Sequence, residues 1–151
     1  MAVIFHAIAR AIIISGNKVL LARAKGQDNT FLPGGHIEAG EGTTTALQRE
    51  IREETGAESE VGSYIGAVES DWNDKVGRHH EINHIFLCQL FPINSSEPVH
   101  SRESHLDFVW ADLDFFEKYN ILPSPIAEII NSRPWENGRT VWQSTIKQSG
   151  L

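Results

Sequence analysis

Val3 to Ser15 is a run rich in isoleucine and alanine, Lys18 to Arg23 is a second apolar segment, and the pair Gly16-Asn17 separates them. Two such runs joined by a tight-turn pair predict a β-hairpin. The pattern changes at Thr43. From there to Thr55 the chain has no Gly or Pro and is rich in helix formers, with Gly56 as a stop, which predicts a helix with Thr43 as its N-cap. Glu58 to Asp71 carries apolar Val61, Tyr64, Ile65, Ala67 and Val68, a polar segment spans Asn73 to His79, and a strand-like run follows from Ile82 to Phe91. These predict a second hairpin.

Pro92 to His105 is polar, and its length predicts a functional lid rather than a tight connection. Leu106 to Leu113 reads as a further strand containing Trp110, and Asp114 to Tyr119 as a short helix or turn. Pro123 to Asn131 fits a helix, with Pro near its start and Ile126, Ile129 and Ile130 as its apolar set. The tail, Ser132 to Leu151, has weak periodicity; its Trp135 and Trp142 predict docking onto the body or onto a second copy, a possible homodimer, with base stacking by Trp135 the lesser reading. Strands before, between and after two main helices place the chain in the α/β class.

Composition narrows the setting. A length of 151 residues suits one domain, 1–151, with a genuine core. No long apolar run and no signal-like start are present, so the expectation is a cytoplasmic protein without a membrane partner. The net charge of −7 argues against a nucleic-acid surface, yet it allows a phosphorylated substrate when metal ions carry the local positive charge. Cys88, the single cysteine, excludes an internal disulfide and reads as an inert core thiol.

The chemistry concentrates in Gly34 to Ala57. On a helix, Glu50, Glu53 and Glu54 fall within about 100° of arc, with Leu47 and Ile51 on the flank that faces a core. Carboxylates three and four residues apart repel, and hard divalent ions relieve that repulsion. Mg²⁺ (or Mn²⁺) suits such a ridge, because it takes carboxylate oxygens and completes its shell with water and phosphate. Arg49 can hold a carboxylate by a forked hydrogen bond, Glu41 can bend back from the preceding loop, and a carbonyl at Gly34 or Gly35 can join the coordination. His36 lies close by, with no role read for it.

Gly35, Glu41, Arg49, Glu50, Ile51, Glu53, Glu54 and Gly56 fall at the spacing G-x5-E-x7-R-E-U-x-E-E-x-G-U, and on those residues the stretch resembles the box of the Nudix hydrolases (MutT-like). The final bulky aliphatic is Ala57 here, a departure that bears on packing rather than on metal chemistry. The resemblance implies an α/β/α sandwich: a mixed sheet with the box helix on one side and the C-terminal helix on the other. It also implies metal-dependent hydrolysis of a diphosphate linkage in a nucleoside diphosphate derivative, such as a nucleoside triphosphate or ADP-ribose. Water is then the nucleophile, Glu50, Glu53 and Glu54 hold metal, Arg49 orients them, and a glutamate of this set or Glu103 takes the proton, with Glu81 and Glu97 as rivals to Glu103. By the same resemblance Arg23, at the end of its strand, reaches substrate phosphate; a solvated strand-end arginine is the plain alternative. Phe31 and Trp72 either stack on a base or cover the core and a sheet edge.

Two other readings stand beside this one. A Nudix-like domain that only senses a nucleotide or metabolite is the first, although such a module needs no carboxylate ridge. His80-Glu81-Ile82-Asn83-His84 matches the zinc-peptidase pattern H-E-x-x-H, which works only on a helix; the β-prone run that follows predicts a strand, on which residues four apart stand about 13 Å from each other.

Overall fold

Alternation of side chains across long strands builds the framework. The structure, a computed structural model, describes residues 2–147. The first hairpin is β1 (Val3–Ser15) and β2 (Lys18–Ala24), turned at Gly16-Asn17 as expected. Then follow β3 (Gly34–His36), α1 (Thr43–Thr55), β4 (Glu58–Asn73), β5 (Arg78–Phe91), β6 (Leu106–Asp112), a 3-10 turn at Phe116–Tyr119, α2 (Pro125–Ser132), a second 3-10 turn at Pro134–Asn137 and β7 (Val141–Ser144). The strands form one sheet in the order β6-β2-β1-β5-β4-β7, with β3 paired to β1. The β1–β5 and β4–β7 pairs are parallel and the others antiparallel, so the sheet is mixed.

Each sheet face has its own helix. Ile12, Val19, Leu21, Ile65, Val68 and Ile85 pack with Ile126, Ile129 and Ile130 of α2. Ala9, Ala11, Ile13, Leu20 and Phe86 pack with Leu47 and Ile51 of α1, and Ala57 and Cys88 are buried in the same cluster. Burial holds the Cys88 thiol up at about 12, in keeping with an inert core group. The α/β/α layering implied by the resemblance is therefore what the chain forms. Among the described residues no helix is long and apolar enough to cross a membrane.

Two local expectations are corrected. Thr43 is the first residue of α1 rather than its cap; Gly42 stands at the cap, with no side-chain hydrogen bond. The connection of the second hairpin is tighter than its polar residues predict. Asp74 Oδ1 accepts from the backbone N–H groups of Val76 (2.8 Å) and Gly77 (3.1 Å), closing a short turn, so Arg78, His79, His80 and Glu81 belong to β5 and His79 is buried. The tail docks onto the body, one of the two outcomes its tryptophans predict: β7 adds to the edge of β4 at Gly66–Glu69. Gly66 has φ 143°, and a Cβ there would collide with the Val141 carbonyl, so only glycine lets β7 approach. Trp135 packs against the α2-side core, whereas Trp142 on β7 is 58% exposed. Of the tail, residues 148–151 lie outside the described range.

Candidate active site

Helix α1 buries Leu47 and Ile51 and thereby turns Glu50, Glu53 and Glu54 toward β3 and the loop before the helix. Glu54 is only 5% exposed, and its Oε2 accepts from the Gly34 N–H at 3.3 Å. Glu50 lies against Gly35 so closely that a Cβ at that position would stand 2.5 Å from the Glu50 carboxyl carbon. The glycine is what admits the carboxylate to the backbone.

Arg49 ties the cluster together. Its Nε and Nη2 grip Glu41 in a fork at 2.7 and 2.9 Å, its Nη1 donates to Glu50 (3.0 Å) and Glu53 (3.3 Å), and Nη2 also reaches the His36 carbonyl at 3.1 Å. One guanidinium thus fixes the loop carboxylate against the helix carboxylates. The hydrogen bonds from Arg49 hold the Glu41 carboxyl down at about 2. Glu54 goes the other way. Burial pushes it up to about 8 against the pull of Arg10 and the Gly34 N–H, with the charges of Glu50 and Glu103 adding to the rise.

This donor set fits a hard cation. Several carboxylates, one of them held protonated chiefly by its burial, are relieved by a divalent ion. Among the described residues no group of three His, Cys, Asp or Glu side chains is arranged to hold a metal ion on its own. The Gly34 carbonyl, read from sequence as a ligand, accepts instead from Arg10 Nη1 at 3.1 Å, so a cation already occupies part of its lone-pair space.

Beside the ridge lies a cavity of about 830 Å³, bounded by β1, β4, β5, residues 27–32 and the start of α2. Phe31 and Trp72 both line it, as a ring-binding role requires. The Trp72 indole is stacked on His79, with centroids 3.8 Å apart and planes 2° from parallel, and its Nε1 donates to Glu81 Oε2 at 3.3 Å. Glu81 also accepts from Ser70 Oγ and Asn83 Nδ2, both at 3.1 Å, so it braces the cavity wall. A chain of imidazoles runs from the box loop to the hairpin tip: His36 Nε2 and His6 Nδ1 are 2.8 Å apart, His6 Nε2 and His79 Nδ1 2.8 Å, and His79 Nε2 lies 3.0 Å from Asp74. Burial, with His6 and Arg10 nearby, lowers the His36 pKa, while His79 and two backbone N–H groups lower that of Asp74.

The remaining sequence candidates divide. Glu103 sits on the loop tied to α1 by the Arg102 N–H and the Glu54 carbonyl (2.8 Å), near enough for its charge to act on Glu54. Glu97 is exposed and offers its backbone carbonyl to Trp110. Arg23 is not among the residues lining the cavity; on β2 it lies opposite Asp107 of β6, with its Nε buried and without a hydrogen-bond partner among the described residues. The H-E-x-x-H run is in strand β5, as expected. His80 stands 3.2 Å from Glu69 and stacks on Phe5, and His84 meets Tyr64, whereas Glu81 points to the opposite face, into the cavity. That geometry removes the zinc-peptidase reading.

Arg10 was missed. It lines the cavity, its Nε donates to Asn83 Oδ1 at 3.4 Å, and its Nη1 donates to the carbonyls of Leu32 and Gly34, both at 3.1 Å. The one Lys or Arg in β1, set between Ala9 and Ala11, was the available signal, although nothing local gave it a partner.

The family model described as the NUDIX domain matches residues 5–129. An ADP-ribose pyrophosphatase from Methanocaldococcus jannaschii is 41% identical over 84 residues, which are 52% of this chain and 47% of that protein, so the match spans about half of the relative's length. A CTP pyrophosphohydrolase from Escherichia coli is 27% identical over 123 residues, 79% of this chain and 84% of that protein. In fold, the chain is similar to a MutT protein from Methanosarcina mazei Go1, with TM-score 0.68 and 20% identity over 92% of this chain and 99% of that one. The model covers residues 5–129, most of the chain, and the chain belongs to the Nudix hydrolase family.

Proposed function

We propose that the chain is a divalent-metal-dependent pyrophosphohydrolase acting on a nucleoside diphosphate derivative, a nucleoside triphosphate, ADP-ribose or a related nucleotide. The observation that carries this is the carboxylate ridge of Glu50, Glu53 and Glu54, locked by the Arg49–Glu41 fork and opening beside an aromatic-walled cavity of about 830 Å³. Glu50, Glu53 and Glu54 would hold Mg²⁺ or Mn²⁺, with the Gly34 carbonyl the weakest member of the set because Arg10 shares it. Such an ion polarises phosphoryl oxygens and acidifies a bound water. Arg49 keeps the carboxylates in register, Phe31 and Trp72 receive the planar ring, and Glu103 is the proposed proton acceptor. Arg23 stays a phosphate-binding candidate from outside the cavity lining.

The test is product release from nucleoside triphosphates, ADP-ribose, dinucleoside polyphosphates and nucleotide sugars with Mg²⁺, with Mn²⁺ and with chelator. Turnover of one class that chelator abolishes supports the hydrolase and names its substrate group. Tight nucleotide binding with no turnover in any arm would replace it with a sensing domain.

A further inference from the structure

Arg10 has donors left over. A guanidinium carries five N–H groups. Nε–H goes to Asn83, and the two on Nη1 go to the Leu32 and Gly34 carbonyls. The two on Nη2 meet no protein acceptor among the described residues, and the side chain lines the cavity. Bracing the Leu32–Gly34 segment uses only Nε and Nη1 and leaves both Nη2 hydrogens to take another acceptor. The surroundings sharpen the point. Arg10 is a desolvated cation without an ion pair among the described residues; Glu54, Glu81 and Glu50 act on it through their charge but none is bonded to it. Cations bound to Glu50 and Glu54 would neutralise those carboxylates and leave Arg10 a net positive group that calls for an anion.

Position identifies the anion. On one side Arg10 touches the Gly34 carbonyl, next to the ridge; on the other its Cζ lies 5.4 Å from the centroid of Phe31, a wall of the cavity. A substrate with its diphosphate on the ridge and its nucleoside in the cavity carries a phosphate at that junction. We propose that Arg10, through Nη2, binds the phosphate adjoining the nucleoside, and so joins the cavity to the carboxylate ridge. The identity of the anion rests on the hydrolase reading above; the availability of Nη2 does not.

The test is calorimetric binding of AMP, CMP, GMP and UMP and of their nucleosides, with Mg²⁺ present, to the wild type, Arg10→Gln, Arg10→Lys and Arg23→Gln. A charge-assisted hydrogen bond corresponds to roughly a ten- to hundredfold change in affinity. Arg10→Gln is expected to lose that much for the monophosphate the wild type binds best, while its nucleoside binds unchanged. Should that variant not fold, Arg10→Lys, which keeps the charge but not the fork, decides, with an expected monophosphate-specific loss of about three- to tenfold. Equal losses for nucleoside and monophosphate, no loss, or a monophosphate-specific loss in Arg23→Gln alone would overturn the assignment. So would a wild type that binds monophosphate no better than nucleoside. If the wild type turns over no substrate, the hydrolase reading fails by itself, and the binding comparison still decides Arg10.

Discussion

Glu54 shows how a single buried residue can tie the stability of the fold to its own protonation. In the unfolded chain it ionises near 4.5, but in the metal-free fold burial holds its proton up to about 8. Its folded pKa is raised, so the native state binds more protons in that window, and Glu54 makes the metal-free fold lose stability as pH rises from about 4.5 to 8. The loss is on the order of 3 to 5 kcal/mol. Urea unfolding in chelator at about pH 5.5 and about pH 8 checks this. The wild type should weaken across the interval more than Glu54→Gln, which has no proton to lose, and Mg²⁺ at the higher pH should restore the wild type selectively. Parallel changes in both proteins would show that Glu54 is not the responsible group.

At the scale of elements, the box helix was legible because its chemistry is written in local spacing. The positions i, i+3 and i+4 on one helix place Glu50, Glu53 and Glu54 together without reference to the rest of the chain, and the bounds Thr43–Thr55 follow from Gly56 and the helix formers before it. Arg10 was not legible, since its partner Asn83 is 73 positions away and meets it only through the parallel β1–β5 register. The same holds for the His36–His6–His79 chain, drawn from three strands, and for β7, whose place depends on Gly66. Local patterns announce local sites; sheet register has no such signature. The ridge in turn depends on the face that α1 buries. Leu47→Ala removes a fully buried side chain from the α1-side core and should cost about 2–5 kcal/mol by denaturant unfolding. A cost under about 1 kcal/mol would mean that α1 is not held by this packing.

Over the whole molecule, two helices on opposite faces leave the two working regions side by side. Helix α1 presents carboxylates at the edge of β3, and the start of α2 closes a cavity against β1, β4 and β5. The Arg49 network links loop to helix, and the Glu81–Asn83–Arg10 network links the cavity wall to the segment before the box. Both networks end at residues 34–36, so this short stretch joins the cavity wall to the carboxylate ridge. Glu53 is the residue on which that union can be tested with least structural disturbance, because its side chain is 51% exposed and packs no core.

The most direct measurement is the Mg²⁺-supported hydrolysis rate of wild type and Glu53→Gln on the substrate class that the panel identifies, with thermal unfolding confirming that both are folded. A fall of about a hundredfold or more with the melting temperature unchanged is the result expected of a carboxylate that holds the reacting centre. A near-normal rate in the folded variant would contradict the carboxylate ridge as the seat of catalysis.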